Sequence, residues 1–194
     1  MVSKNNRTSG ADIAAGVGSS APVMTAAAAL IGANLVVVAL AWDSPPNAGG
    51  IVTITFLMMI SFVFFINVLH QLMRAELLIS RLRLLKIDEE TKEKILLELN
   101  QITKWARIMH LGGLIFTMVA FWIISYKYLI SIVGYHFIIL LLPFVLFVIF
   151  WIPKLTGVEK EVSFKSRETI MQLIIEVIFL VLICLDFVKV IVIF

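Results

Sequence analysis

Charge is scarce in this sequence. Asp, Glu, Lys and Arg together make up 15% of its 194 residues against 61% hydrophobic, and the mean hydropathy is +1.04. So few charges cannot clothe a soluble domain of this length, and the composition places the chain among polytopic membrane proteins. Cysteine is almost missing. The single Cys184, set within an apolar run, excludes an internal disulfide and any cysteine-based metal cage. The short signatures of catalysis are absent too: there is no H-E-x-x-H, no G-x-S-x-G, no P-loop and no CxxC. Gly16 and Gly18 fall short of a phosphate-binding fingerprint, because no strand precedes them and no further glycine follows at the required spacing. His70 and His110 stand at the same ends of adjacent antiparallel spans, but two histidines without a secure further ligand do not make a metal site. No catalytic residue, metal site or cofactor is therefore assigned.

The net charge of +3 and the pI near 9.1 suggest an acidic partner only at first sight. The basic residues gather in two loops, where they serve topology, and no nucleic-acid signal accompanies them. Arg74, Arg81 and Arg83 follow a span instead of recurring every third residue within one, so a voltage sensor is excluded as well.

What the chain does have is long apolar runs. Lipid offers no partner to open backbone groups, and these runs do not alternate as barrel strands do, so the expected fold is all-α, a polytopic membrane helix bundle. Five transmembrane helices are expected, over about 22–42, 51–73, 108–126, 128–152 and 170–194. Residues 1–21 read as a flexible cytoplasmic tail, and 22–194 as a single membrane domain. The first run ends in Ala39-Leu40-Ala41, a pattern shared with signal peptides, but it is long for a signal core and reads as a retained span. Its pairs Ala28/Gly32 and Ala29/Ala33 would let another helix come close, so this helix is expected to be packed.

The run at 51–73 does not stop at the membrane edge. From Arg74 it turns amphipathic with no Gly or Pro to break it, so the rod should continue into water. Asp88 is a good N-cap for the return arm, and Glu89 and Glu90 suit its positive end. Ile95, Leu99, Ile102, Ala106 and Met109 then recur at spacings of four and three, matching Leu78, Leu82 and Leu85 on the outgoing arm. Residues 74–107 are thus expected to form a cytoplasmic antiparallel helical hairpin extending spans 2 and 3.

Counting cations orients the chain. Arg74, Arg81, Arg83, Lys86, Lys92, Lys94, Lys104 and Arg107 share a side with Lys154, Lys160, Lys165 and Arg167, while the opposite loops offer only Lys127, read as an interface marker between Tyr126 and Tyr128. The N-terminus is then inside and the C-terminus outside, with Lys4 and Arg7 in agreement. An integral, multi-pass protein of the plasma (cytoplasmic) membrane is expected.

Polar residues inside the spans are the natural suspects for chemistry or conduction. Glu176, Asn67 and His70 fall at one depth and form an inner tier; Asp186, Asn34 and His136 form an outer one. Asp186 and Lys189, three residues apart, are placed to neutralise each other. The intramembrane set is therefore Asn34, Asn67, His70, His136, Glu176, Asp186 and Lys189. Two functions follow. One is a non-catalytic integral membrane subunit, a structural or accessory component of a larger complex, whose polar residues hold helices together. The other is a homo-oligomeric ion channel or proton-conducting pore with a path through Asn67, His70 and Glu176 and through Asn34, His136 and Asp186. The expected partners are the lipid bilayer and other membrane subunits or copies of the chain, met through the 74–107 hairpin and the small-residue face of span 1, with no nucleic acid.

Overall fold

The computed structural model describes residues 20–46, 49–84, 88–155 and 167–190. The expected tail, most of the loop holding Lys160 and Lys165, the tip of the hairpin with Leu85 and Lys86, and the last four residues lie outside the described residues. The described residues are helical and include no strand: α1 (Ser20–Asp43), α2 (Ile51–Leu84), α3 (Glu89–Val133), a 3-10 turn (Phe137–Leu140), α4 (Leu141–Leu155) and α5 (Arg167–Phe187). Four helices, α1, α2, α3 and α5, are long and apolar enough to cross a membrane, while the apolar helix at Phe137–Ile152 is shorter. This is compatible with a multi-pass integral membrane protein.

The chain gathers into two compact units, one drawn from Met1–Ile31 and Phe64–His110, the other from Gly32–Val63 and Leu111–Phe194. In the first, the distal half of α2 lies against the start of α3. Ala75, Leu78, Ile79, Leu99 and Ile102 are buried together, with Leu82, Ile95 and Leu96 packed on them. Asp88 caps α3, its carboxylate accepting the Thr91 backbone N–H at 3.0 Å. The Thr91 side chain foremost, and then that backbone bond, hold the Asp88 carboxyl below its ordinary value of 3.8. Arg74 bridges the arms to Glu98 at 2.5 Å, and the Phe65 and His110 rings meet edge to face at 5.9 Å.

The core of the second unit joins Ile54, Leu57 and Met58 of α2, Ile115, Val119, Trp122, Ile123 and Tyr126 of α3, and Leu180 and Ile183 of α5. Three features differ from expectation. First, α3 does not end near Tyr126 but runs on to Val133, where Gly134 at φ +81 takes the left-handed conformation that closes a helix, its N–H reaching the Ile130 carbonyl at 2.9 Å. The expected boundary between spans at 126 and 128 is therefore displaced to Gly134 and Tyr135, and the next apolar element starts only at Phe137. Second, α5 ends at Phe187, short of the expected 194, in paired closing bonds from Val190 N–H to Leu185 O and from Lys189 N–H to Asp186 O, each 3.1 Å. Lys189 holds the left-handed position of this cap at φ +56. Third, α1 is mostly open, with only 11% of its apolar window buried, and Ala28, Ala29, Gly32 and Ala33 are all exposed rather than packed.

Candidate functional site

Three polar clusters lie inside the second unit. Asn34 of α1, Ser61 of α2 and Thr117 of α3 are buried and joined: Asn34 Nδ2 donates to Ser61 Oγ at 3.0 Å and to Thr117 Oγ1 at 3.3 Å. Ser61 Oγ donates to the Gly113 carbonyl at 2.8 Å, which uses its one proton. In the 2.6 Å contact between the two hydroxyls Thr117 must then be the donor. Ser61 is thus the hub, giving one hydrogen bond and receiving two.

The second cluster centres on Glu176, fully buried on α5. Its Oε2 accepts the indole N–H of Trp151 on α4 at 2.5 Å, and its Oε1 accepts the Gln172 amide one turn earlier at 2.6 Å. Both oxygens of this buried side chain therefore have hydrogen-bond donors. Trp151 itself is buried.

In the third cluster a single oxygen of Asp186 on α5 receives both Lys127 Nζ at 2.8 Å and the Tyr126 hydroxyl at 3.0 Å from α3. Lys127 and Asp186 are 3% and 7% exposed, so this is a buried ion pair. Lys127 is therefore not a loop cation. Its stem also packs toward Gly50, whose positive φ of +88 and lack of a side chain leave room for it. The neighbouring loop is tied down by Trp42 Nε1 donating to Thr55 Oγ1 at 2.9 Å and by the Tyr128 hydroxyl donating to the Ser44 carbonyl.

Of the residues singled out from the sequence, Asn34, Glu176 and Asp186 are therefore buried in separate clusters. Lys189 does not take Asp186 as its ionic partner: the closing turn of α5 carries its ammonium 4.5 Å over the Tyr135 ring. His136 is exposed in the turn before the 3-10 segment, where it makes no side-chain cap bond. Asn67 and His70 lie in the first unit, both exposed on α2. Sequence reasoning missed Ser61, Thr117, Tyr126, Lys127, Trp151 and Gln172. Only Gln172 carried a usable signal, standing four residues before Glu176 on one helix face.

Among the described residues no group of three or more His, Cys, Asp or Glu comes together as a metal site needs. A cleft of about 270 Å³ between α4 and α5 is lined by apolar side chains, including Phe144, Phe147, Leu180 and Cys184. In each of these clusters hydrogen bonds run from helix to helix. The chain matches no family model, no curated protein and no solved structure. Among the described residues the class is all-helical, with four helices apolar enough to span a membrane.

Proposed function

We propose that this chain is a non-catalytic integral membrane subunit of a larger membrane assembly. It crosses the plasma membrane five times, with its N-terminus and helical hairpin in the cytoplasm and its C-terminus outside. The observation that carries this reading is the use made of the buried polar side chains: Asn34, Glu176 and Asp186 are each hydrogen-bonded to a neighbouring helix. Contacts of this kind hold a bundle together: interhelical hydrogen bonds are individually worth about 0.6 kcal/mol in membranes, and a buried ion pair such as Lys127–Asp186 costs more when broken from one side.

The fifth crossing is supported by length. The 3-10 turn of 4 residues and the 15 residues of α4 follow one another directly, and at about 2.0 and 1.5 Å per residue they reach roughly 30 Å, the thickness of a hydrocarbon core. Orientation is supported by the cation count, strengthened now that Lys127 is paired within a helix and leaves its side almost without loop cations. Docking to unlike membrane chains would use the exposed small-residue face of α1 and the outer face of the hairpin.

Purification at native abundance in mild detergent, followed by native mass determination, tests the proposal. Unlike chains in fixed ratio are expected; a stable assembly of this chain alone would overturn it. That second outcome would favour the rival reading, a homo-oligomeric ion channel or proton-conducting pore, to which the exposed Asn67 and His70 would contribute.

A further inference from the structure

The cations of the first unit are not alike. Near the start of α3, Lys92 and Lys94 pair with Glu89 and Glu90 of their own helix at 3.2 and 2.7 Å, and Arg74 pairs with Glu98. Lys104 and Arg107 differ: like Arg81 on the other arm of the hairpin, neither has an acidic partner among the described residues. Both are exposed and stand three residues apart, on one side of α3, while Leu99, Ile102 and Ala106 turn inward. Trp105 between them is 55% exposed, and from Ile108 onward α3 becomes apolar. Two unpaired cations and an amphipathic ring thus occupy the turn at which the helix enters an apolar layer. Indole rings favour headgroup depth, where one edge is wet and the other is not.

We infer that Lys104 and Arg107, with Trp105 beside them, bind the phosphate of an anionic phospholipid headgroup in the leaflet next to the hairpin. The guanidinium offers two parallel N–H donors to phosphate oxygens, and the ammonium adds a point charge. The ring argues for a lipid over a soluble anion, since a soluble anion would use the charges and leave the indole without an apolar neighbour. The inference rests on the membrane-spanning reading of the chain.

The full chain in nanodiscs of phosphatidylcholine provides the test, with small amounts of either brominated phosphatidylglycerol or brominated phosphatidylcholine as quencher. The Trp105 signal is the difference between the full chain and Trp105→Phe. Brominated phosphatidylglycerol is expected to be enriched at Trp105 by about fivefold per cation at low salt. Lys104→Gln/Arg107→Gln should bring the two lipids to parity. Lys104→Arg/Arg107→Lys should keep the enrichment, and so should Lys92→Gln/Lys94→Gln, which removes cations already paired. Equal quenching by both lipids in the unaltered chain would overturn the inference, as would an equal loss in the Lys92/Lys94 variant. Displacement of the brominated lipid by soluble glycerol phosphate would overturn it in favour of a soluble ligand. Quenching of Trp105 by neither lipid would instead strike the membrane-spanning reading itself, so the two failures are distinguishable.

Discussion

Removing one member of the Lys127–Asp186 pair should be far more damaging than removing both. The two groups are 2.8 Å apart and almost fully buried, so each is the other's replacement for water. Asp186→Leu leaves a buried ammonium without its carboxylate, and Lys127→Met leaves a carboxylate that keeps the Tyr126 hydroxyl bond. Breaking a buried pair from one side costs about 3–5 kcal/mol, whereas replacing both members with apolar groups of similar size is close to neutral. Each single variant is therefore expected to lose about 3 kcal/mol, and Lys127→Met/Asp186→Leu at most about 1 kcal/mol. Met suits position 127 because an unbranched chain keeps the packing of the lysine stem toward Gly50. Tyr126→Phe, which removes one hydrogen bond to a charged group, should cost about 1.5 kcal/mol. Equilibrium unfolding in bicelles gives these free energies, and the double-mutant cycle should show a coupling of about 5 kcal/mol. Singles costing under about 1 kcal/mol each, or a double variant as unstable as their sum, would refute the reasoning.

Further outcomes follow from the same structure. Ser61→Ala should destabilise more than Asn34→Leu in the same unfolding assay, because Ser61 serves Gly113, Asn34 and Thr117, whereas loss of Asn34 leaves the two hydroxyls bonded to each other; the membrane range of about 0.6–1.7 kcal/mol per contact bounds each bond. Gly134→Ala should cost about 1–2 kcal/mol despite open space around it, since its φ of +81 is left-handed, while Gly32→Ala in mid-helix, also in open space, should stabilise by about 0.5–1 kcal/mol. Asp88 has a pKa lowered on folding, so its stabilisation of the start of α3 is fully present above its ordinary value of 3.8 and disappears as pH falls through the lower folded value. The Thr91 amide resonance, followed by NMR on acidification, should report this, and Asp88→Ala should remove the pH response.

The helices were legible because their signals are local. An apolar run followed by an uninterrupted amphipathic stretch announces that α2 continues past Arg74, and Asp88 before two glutamates announces α3. The end of α3 was not legible. A lysine between two tyrosines has the look of an interface, and what keeps Lys127 inside a helix is a carboxylate 59 positions away. The polar clusters were hidden for the same reason. Helical periodicity says which residues share a face of one helix, so Gln172 and Glu176 could be paired, but it does not say which face of another helix they meet. Lys189 shows the reverse error, since proximity in sequence to Asp186 suggested a pair that the closing turn of α5 forbids.

If the chain is a non-catalytic membrane subunit as proposed, its buried ionisable residues fasten helices and carry no current. Proton and cation flux into liposomes holding the purified chain, compared with Glu176→Gln and Asp186→Asn, tests it most directly. The expected result is flux no greater than in empty liposomes for all three proteins. Flux through the unaltered chain that either substitution abolishes would contradict it.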